Sequence, residues 1–81
     1  MTNNIFIKKQ RNNCNTGILY TLSWVSRIDD KLHSETILSK DSNPISEDHV
    51  KYMLLMMAVH NEPNTILSAV SESLPVQEVN N

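Results

Sequence analysis

Apolar and polar positions alternate through the first half of the chain, and the spacing then turns helical. Residues 4–8 form a short apolar run rich in β-formers. The polar segment Lys9–Thr16 follows, where Asn12, Asn13 and Asn15 favour turns over ladders. A strand and then a loop are predicted. From Gly17, the only glycine, Ile18, Tyr20, Leu22, Trp24 and Ile28 share one face of an extended segment. Leu19, Thr21, Ser23, Val25 and Arg27 take the other, and the first face is expected in the core. Asp29-Asp30 interrupts the pattern, and Lys31–Lys40 resumes it, with Leu32, Ser34, Thr36 and Leu38 opposite His33, Glu35, Ile37 and Ser39. A hairpin closed at Asp29-Asp30 accounts for both halves. With no Asn-Gly or Asp-Gly pair, its turn type and register stay open.

Residues 41–45 read as a loop, and Ser46 is placed to cap a helix whose first turn holds Glu47 and Asp48 at the positive end of the dipole. Ile45 and Val50 have the spacing of a hydrophobic staple. Pro63 disfavours helical geometry at the residue before it, so the helix should end by Asn61 or Glu62. The next segment, Asn64–Leu74, suits either an amphipathic helix or a buried strand, because Ile66, Leu67, Val70 and Leu74 fit both. Residues 75–81 read as a flexible polar tail.

The helix carries the densest apolar run of the chain, Tyr52 to Val59. Its expected core stripe is Val50, Met53, Leu54, Met57 and Asn61, which leaves Leu55, Met56 and Val59 on other sides. One sheet covers one helix face, so an all-round apolar helix needs a second cover. Tyr52, Leu55, Met56 and Val59 are therefore the candidate partner-binding residues, and the three methionines of the run supply adaptable, polarizable surface.

Composition narrows the classes. A chain of 81 residues supports one small domain, whose core rarely gives more than about 3–5 kcal/mol of net stability without a staple or an interface. A protein partner or self-association is the expectation. The lone cysteine, Cys14, has no internal disulfide partner, and the N-terminal apolar run stops at Lys8 and Lys9, too short for a signal peptide. No stretch reaches the roughly 18 apolar residues of a membrane span. A cytoplasmic protein is expected, lying in a host cell's cytoplasm if phage-encoded.

The net charge of −2 hides an asymmetry: residues 1–40 hold six basic and three acidic side chains, and residues 41–81 hold one and six. Lys8, Lys9 and Arg11 beside the asparagines offer phosphate contacts, an alternative reading as a nucleic-acid accessory protein. Three charges without interleaved aromatics are a weak footprint, so this ranks second. His49 and His60, about 16 Å apart along one helix, cannot share a metal, and His33 has no cysteine-rich partner set. Cys14 lacks a nucleophile signature. No catalytic residue, metal or cofactor is expected.

With the last segment as a strand, the order strand-strand-strand-helix-strand over residues 4–74 resembles the first half of the ribonuclease H fold. Ile5-Phe6-Ile7 stands at its first strand, Gly17–Trp24 at its second, and Ile66-Leu67-Ser68 at its fourth. The resemblance implies two divalent metals held by acidic side chains. The residues depart from that set, since Lys8 stands at the first-strand aspartate and Val70 at the fourth-strand one. Glu47 or Asp48 is only an approximate counterpart of the helix glutamate. The chemistry is not expected here.

The expected architecture is α+β, a small mainly antiparallel sheet (β-β-β-α-β) with one helix packed on a face; β-β-β-α-α is the alternative. The expected function is a non-enzymatic protein-interaction module. Its size and glycine-poor character suit an inhibitor or accessory factor of phage or mobile-element type, acting on a larger protein.

Overall fold

The apolar alternation of the first forty residues builds three consecutive antiparallel strands, β1 (Ile5–Arg11), β2 (Gly17–Val25) and β3 (Leu32–Lys40). They are seen in a computed structural model that describes residues 5–69 and 74–79. Two helices follow, α1 (Glu47–Asn61) and α2 (Pro63–Ala69), and then a short strand, β4 (Val76–Glu78). The sheet order is β3-β2-β1-β4, with β4 parallel to β1. The fold is α+β, with a four-stranded mixed sheet.

Register follows the alternation. Ile5 pairs with Trp24, Ile7 with Leu22, Trp24 with His33 and Tyr20 with Ile37, so these side chains share the face on which the helices lie. The buried core joins Ile5, Ile7, Tyr20, Leu22 and Trp24 to Val50, Leu54 and Ala58 of α1, Ile66 of α2 and Leu74. Leu19, Thr21 and Val25 point to the opposite face, with Phe6 and Leu38.

Side chains close both turns. Asn12 Oδ1 accepts hydrogen bonds from the N–H groups of Thr16 (2.8 Å) and Gly17 (3.2 Å), while Asn15 takes the left-handed conformation that asparagine tolerates. The second turn is longer than the expected two-residue hairpin and occupies residues 26–31. Ser26 Oγ accepts from Ile28 N–H at 3.0 Å, and Lys31 N–H donates to Asp29 Oδ1. Ile28, expected in the core, lies in this turn and is 82% exposed. The alternation ends at Val25 because Ser26 breaks the ladder with its own backbone bonds.

The start of α1 is as expected: Ser46 is extended, its hydroxyl accepts from His49 N–H, and Glu47 and Asp48 occupy the first turn. The helix stops at Asn61, before Pro63, yet the same proline opens α2, where its missing N–H costs no helical bond. Residues 63–69 are thus helical, which corrects the strand expected at Ile66-Leu67-Ser68. Val70 lies outside the described residues. The fourth strand beside the first is drawn instead from residues 76–78, within the segment read as a tail, where Val79 N–H also donates to Lys9 O. Ile66 and Leu74 flank that passage, and both are buried. Among the described residues no helix is long and apolar enough to cross a membrane.

Candidate functional site

Val50, Leu54 and Ala58, spaced by four residues, are the fully buried line of α1, and Leu55 and Val59 pack half-buried beside them. The expected core stripe is therefore rotated. Met53 and Met57 are half-buried and Asn61 is exposed, which corrects their placement in the core. In a run apolar on every side, as Tyr52 to Val59 is, periodicity cannot fix the rotation. The small Ala58, buried completely, lets the helix approach the sheet along its own line.

The four candidate partner-binding residues divide accordingly. Tyr52 (62%) and Met56 (51%) stand one turn apart in solvent, whereas Leu55 and Val59 are partly occupied by the core. Met56 and Met57, with His60, Asn61 and Glu35 of β3, line a shallow groove.

The three cations of β1 do not form a patch. Lys9 Nζ lies 2.8 Å from Glu47 Oε1, and this bond raises the lysine pKa above its ordinary value. Arg11 pairs with Asp41 and also donates to Asn15 Oδ1. Lys8 lies on the opposite face of the strand, its ammonium 5.3 Å from the Phe6 ring centroid. Cys14 is exposed in the β1–β2 turn. His49 and His60 project into solvent, and among the described residues no three His, Cys, Asp or Glu side chains converge as metal ligands would.

A further cluster, absent from the sequence reading, gathers at the C-terminal end of α1 where it meets the β2–β3 turn. Trp24 (2% exposed) and Glu62 (7% exposed) line a cavity of about 290 Å³ together with Ser26, Asp29, His33 and Glu35. His33 stacks on the Trp24 ring, its Nε2 is 2.9 Å from Asp29 Oδ2, and Asn61 Nδ2 donates to Glu35 Oε1. The His33 bond holds the Asp29 pKa below its ordinary value, assisted by the Lys31 N–H. Glu62 is likewise held low, first by the Ser26 hydroxyl, then by that of Thr65, against the opposing effect of desolvation. Even so, Glu62 Oε2 and Trp24 Nε1 are buried without a hydrogen bond of good geometry.

Sequence reasoning missed this cluster because its members come from positions 24–35 and 61–65, and no spacing rule joins them. The one available signal was Glu62 directly before Pro63, a carboxylate fixed at a helix junction. No family model matches this chain, and no curated protein or solved structure matches it.

Proposed function

We propose that the chain is a non-enzymatic protein-binding module, of the inhibitor or accessory-factor type found in phages and mobile elements, that acts on a larger protein through the outer face of α1. The observation that carries this reading is the pair Tyr52 and Met56, large apolar side chains in solvent on one helix face, with Met53 and Met57 half-buried beside them. Buried aromatic and methionine side chains are what protein interfaces enrich, and methionine adapts to an irregular partner.

The competing readings have less support. Lys9 and Arg11 are already matched by Glu47 and Asp41, which removes most of the charge a phosphate backbone would meet. The ribonuclease H resemblance is one of architecture without chemistry in this reading. Lys8 stands on the first strand, and Glu47 is engaged by Lys9.

The test is recovery of bound proteins from the native host with tagged wild type and with Tyr52→Glu/Met56→Glu, alongside the solution mass of each. The variant is expected to remain folded and to lose the partner or the self-association. A wild-type monomer whose recovered proteins are unchanged by the variant would sink the reading.

A further inference from the structure

β3 is a free edge of the sheet, since the order β3-β2-β1-β4 leaves it paired with β2 alone. The bonds that flank its ladder fix which of its groups are free. Ser26 N–H donates to Lys31 O and Asp41 N–H to Thr16 O, both at 2.9 Å, so odd-numbered residues of β3 bond even-numbered residues of β2. Asn12 N–H donating to Gly17 O turns the odd-numbered residues of β2 toward β1, as that phase requires. Leu32, Ser34, Thr36 and Leu38 therefore direct their N–H and C=O groups outward, and among the described residues these groups have no backbone partner. Beyond them, Lys40 is closed off by its bridge to Asn43. Strand edges that stay single are guarded by outward charge, proline or a bulge. β3 pairs with β2 without a bulge, its outward positions carry no charge or proline, and Leu32 is 64% exposed. The inward-facing His33 and Glu35 are already held by Asp29 and Asn61.

We infer that β3 pairs antiparallel with β3 of a second copy of this chain, about a two-fold axis through Ser34. Charge and access choose that axis. Through Glu35, it would set two carboxylates directly opposite each other, which repels. Through Thr36, it would bring the second copy against the Lys40–Asn43 bridge. With the axis at Ser34, that residue meets its own counterpart, and Leu32 of each copy meets Thr36 of the other, each pair exchanging two backbone hydrogen bonds. His33 then lies opposite the second copy's Glu35, and symmetry repeats this complementary pair. The Met56–Met57 groove opens beside Glu35, next to the axis, and α1 lies over β2 and β3. With strands about 4.8 Å apart, the two α1 helices come within about 10–14 Å over the joined sheet, close enough for their methionines to meet. The joined strip is about 25 Å long in a chain whose shortest extent is 20 Å, about 500 Å² per copy and about 1,000 Å² in all. Specific interfaces begin at that size, so the dimer is a micromolar one. The inference goes beyond the reading of α1 as a protein-binding face and needs no larger partner.

Sedimentation equilibrium of the full chain, from about 10 μM to about 1 mM, should show the mass rising from 9.2 kDa to a plateau at twice that value. Thr36→Pro removes an N–H that bonds nothing within the chain, so it should keep the fold and weaken the dimer at least about tenfold. If that variant does not fold, Ser34→Lys/Thr36→Lys, which charges two exposed side chains, must weaken the dimer instead. Cross-linking reads the axis. In a Cys14→Ser background, Ser34→Cys should oxidise to a disulfide dimer, because hydrogen-bonded partners stand about 5.5 Å apart at Cα, within disulfide reach. Thr36→Cys, displaced along the strand from its counterpart, should not. A chain monomeric to about 1 mM, a mass that climbs past the dimer, indifference to the β3 variants, or cross-linking at position 36 instead of 34 would overturn the inference. A monomer that still recovers a larger protein through Tyr52 and Met56 overturns this inference alone. A dimer lost in Thr36→Pro, with no larger protein recovered, overturns only the reading of α1 as a face for such a partner.

Discussion

Trp24 and His33 are direct cross-strand partners on β2 and β3, and their rings stack with centroids 5.8 Å apart and planes inclined by 22°. The stack places the imidazole so that Nε2 reaches Asp29 across the β2–β3 turn, and it lays the indole against the end of α1 where Glu62 sits. One strand pair thereby fixes a turn, a helix junction and a cavity.

A pH dependence follows from the two carboxylates in that assembly. Asp29 and Glu62 both have pKa values below their ordinary 3.8 and 4.5, so the folded state favours their charged forms more than the unfolded chain does. Their contribution to stability is therefore present above those ordinary values and is lost as pH falls through the lower, folded ones. Urea unfolding followed by Trp24 emission should show stability declining from about pH 5 downward. Asp29→Asn and Glu62→Gln should each be less stable than wild type near neutrality and decline less steeply in acid. Parallel acid limbs in wild type and both variants would contradict the assignment.

The rotation of α1 makes a separate prediction, because adjacent residues of the same apolar run should respond oppositely. Leu55→Glu sets a charge against the core and is expected to cost about 2 kcal/mol or more. Met56→Glu or Tyr52→Glu, placed in solvent, should stay within about 0.5 kcal/mol of wild type. Thermal and urea unfolding of the three variants separates these outcomes, and equal losses at positions 55 and 56 would refute the rotation.

Gly17 opens β2 opposite Lys40, and there the two backbones approach too closely for a side chain. A Cβ at this position would collide with the Ser39 carbonyl oxygen and stand 3.0 Å from Lys40 Cα, and backbone atoms cannot move aside as a flexible side chain can. Gly17→Ala is expected to cost about 1–3 kcal/mol, with lost amide protection at the Gly17 end of the β2–β3 pair. A neutral substitution would show that the strand ends are free to separate.

Local chemistry was sufficient for much of the molecule. The patterns in residues 5–8, 17–25 and 32–40 specify strands, since a one-residue slip would turn every apolar side chain outward, whereas Lys9–Arg11, read as loop, extends β1 through its pairing with Ile18–Tyr20. Ser46, Glu47 and Asp48 specify where α1 begins, because the orphan N–H groups of a first turn need those partners nearby in sequence. Pro63 marked the end of one helix but equally permitted the start of another, and only the burial of Ile66 against the sheet decided for α2.

Tertiary structure decided the rest, for one physical reason: these features depend on residues distant in sequence. Val76–Glu78 forms a strand because β1 offers a free edge, not because three residues of their own favour it. The rotation of α1 is set by how closely Ala58 lets the helix meet the sheet, information that an apolar run with no polar side does not contain. Lys9 and Arg11 read as a basic segment until folding brought Glu47 and Asp41 to them. The meeting of Trp24, Asp29, His33 and Glu62 likewise exists only where a strand pair, a turn and a helix end converge.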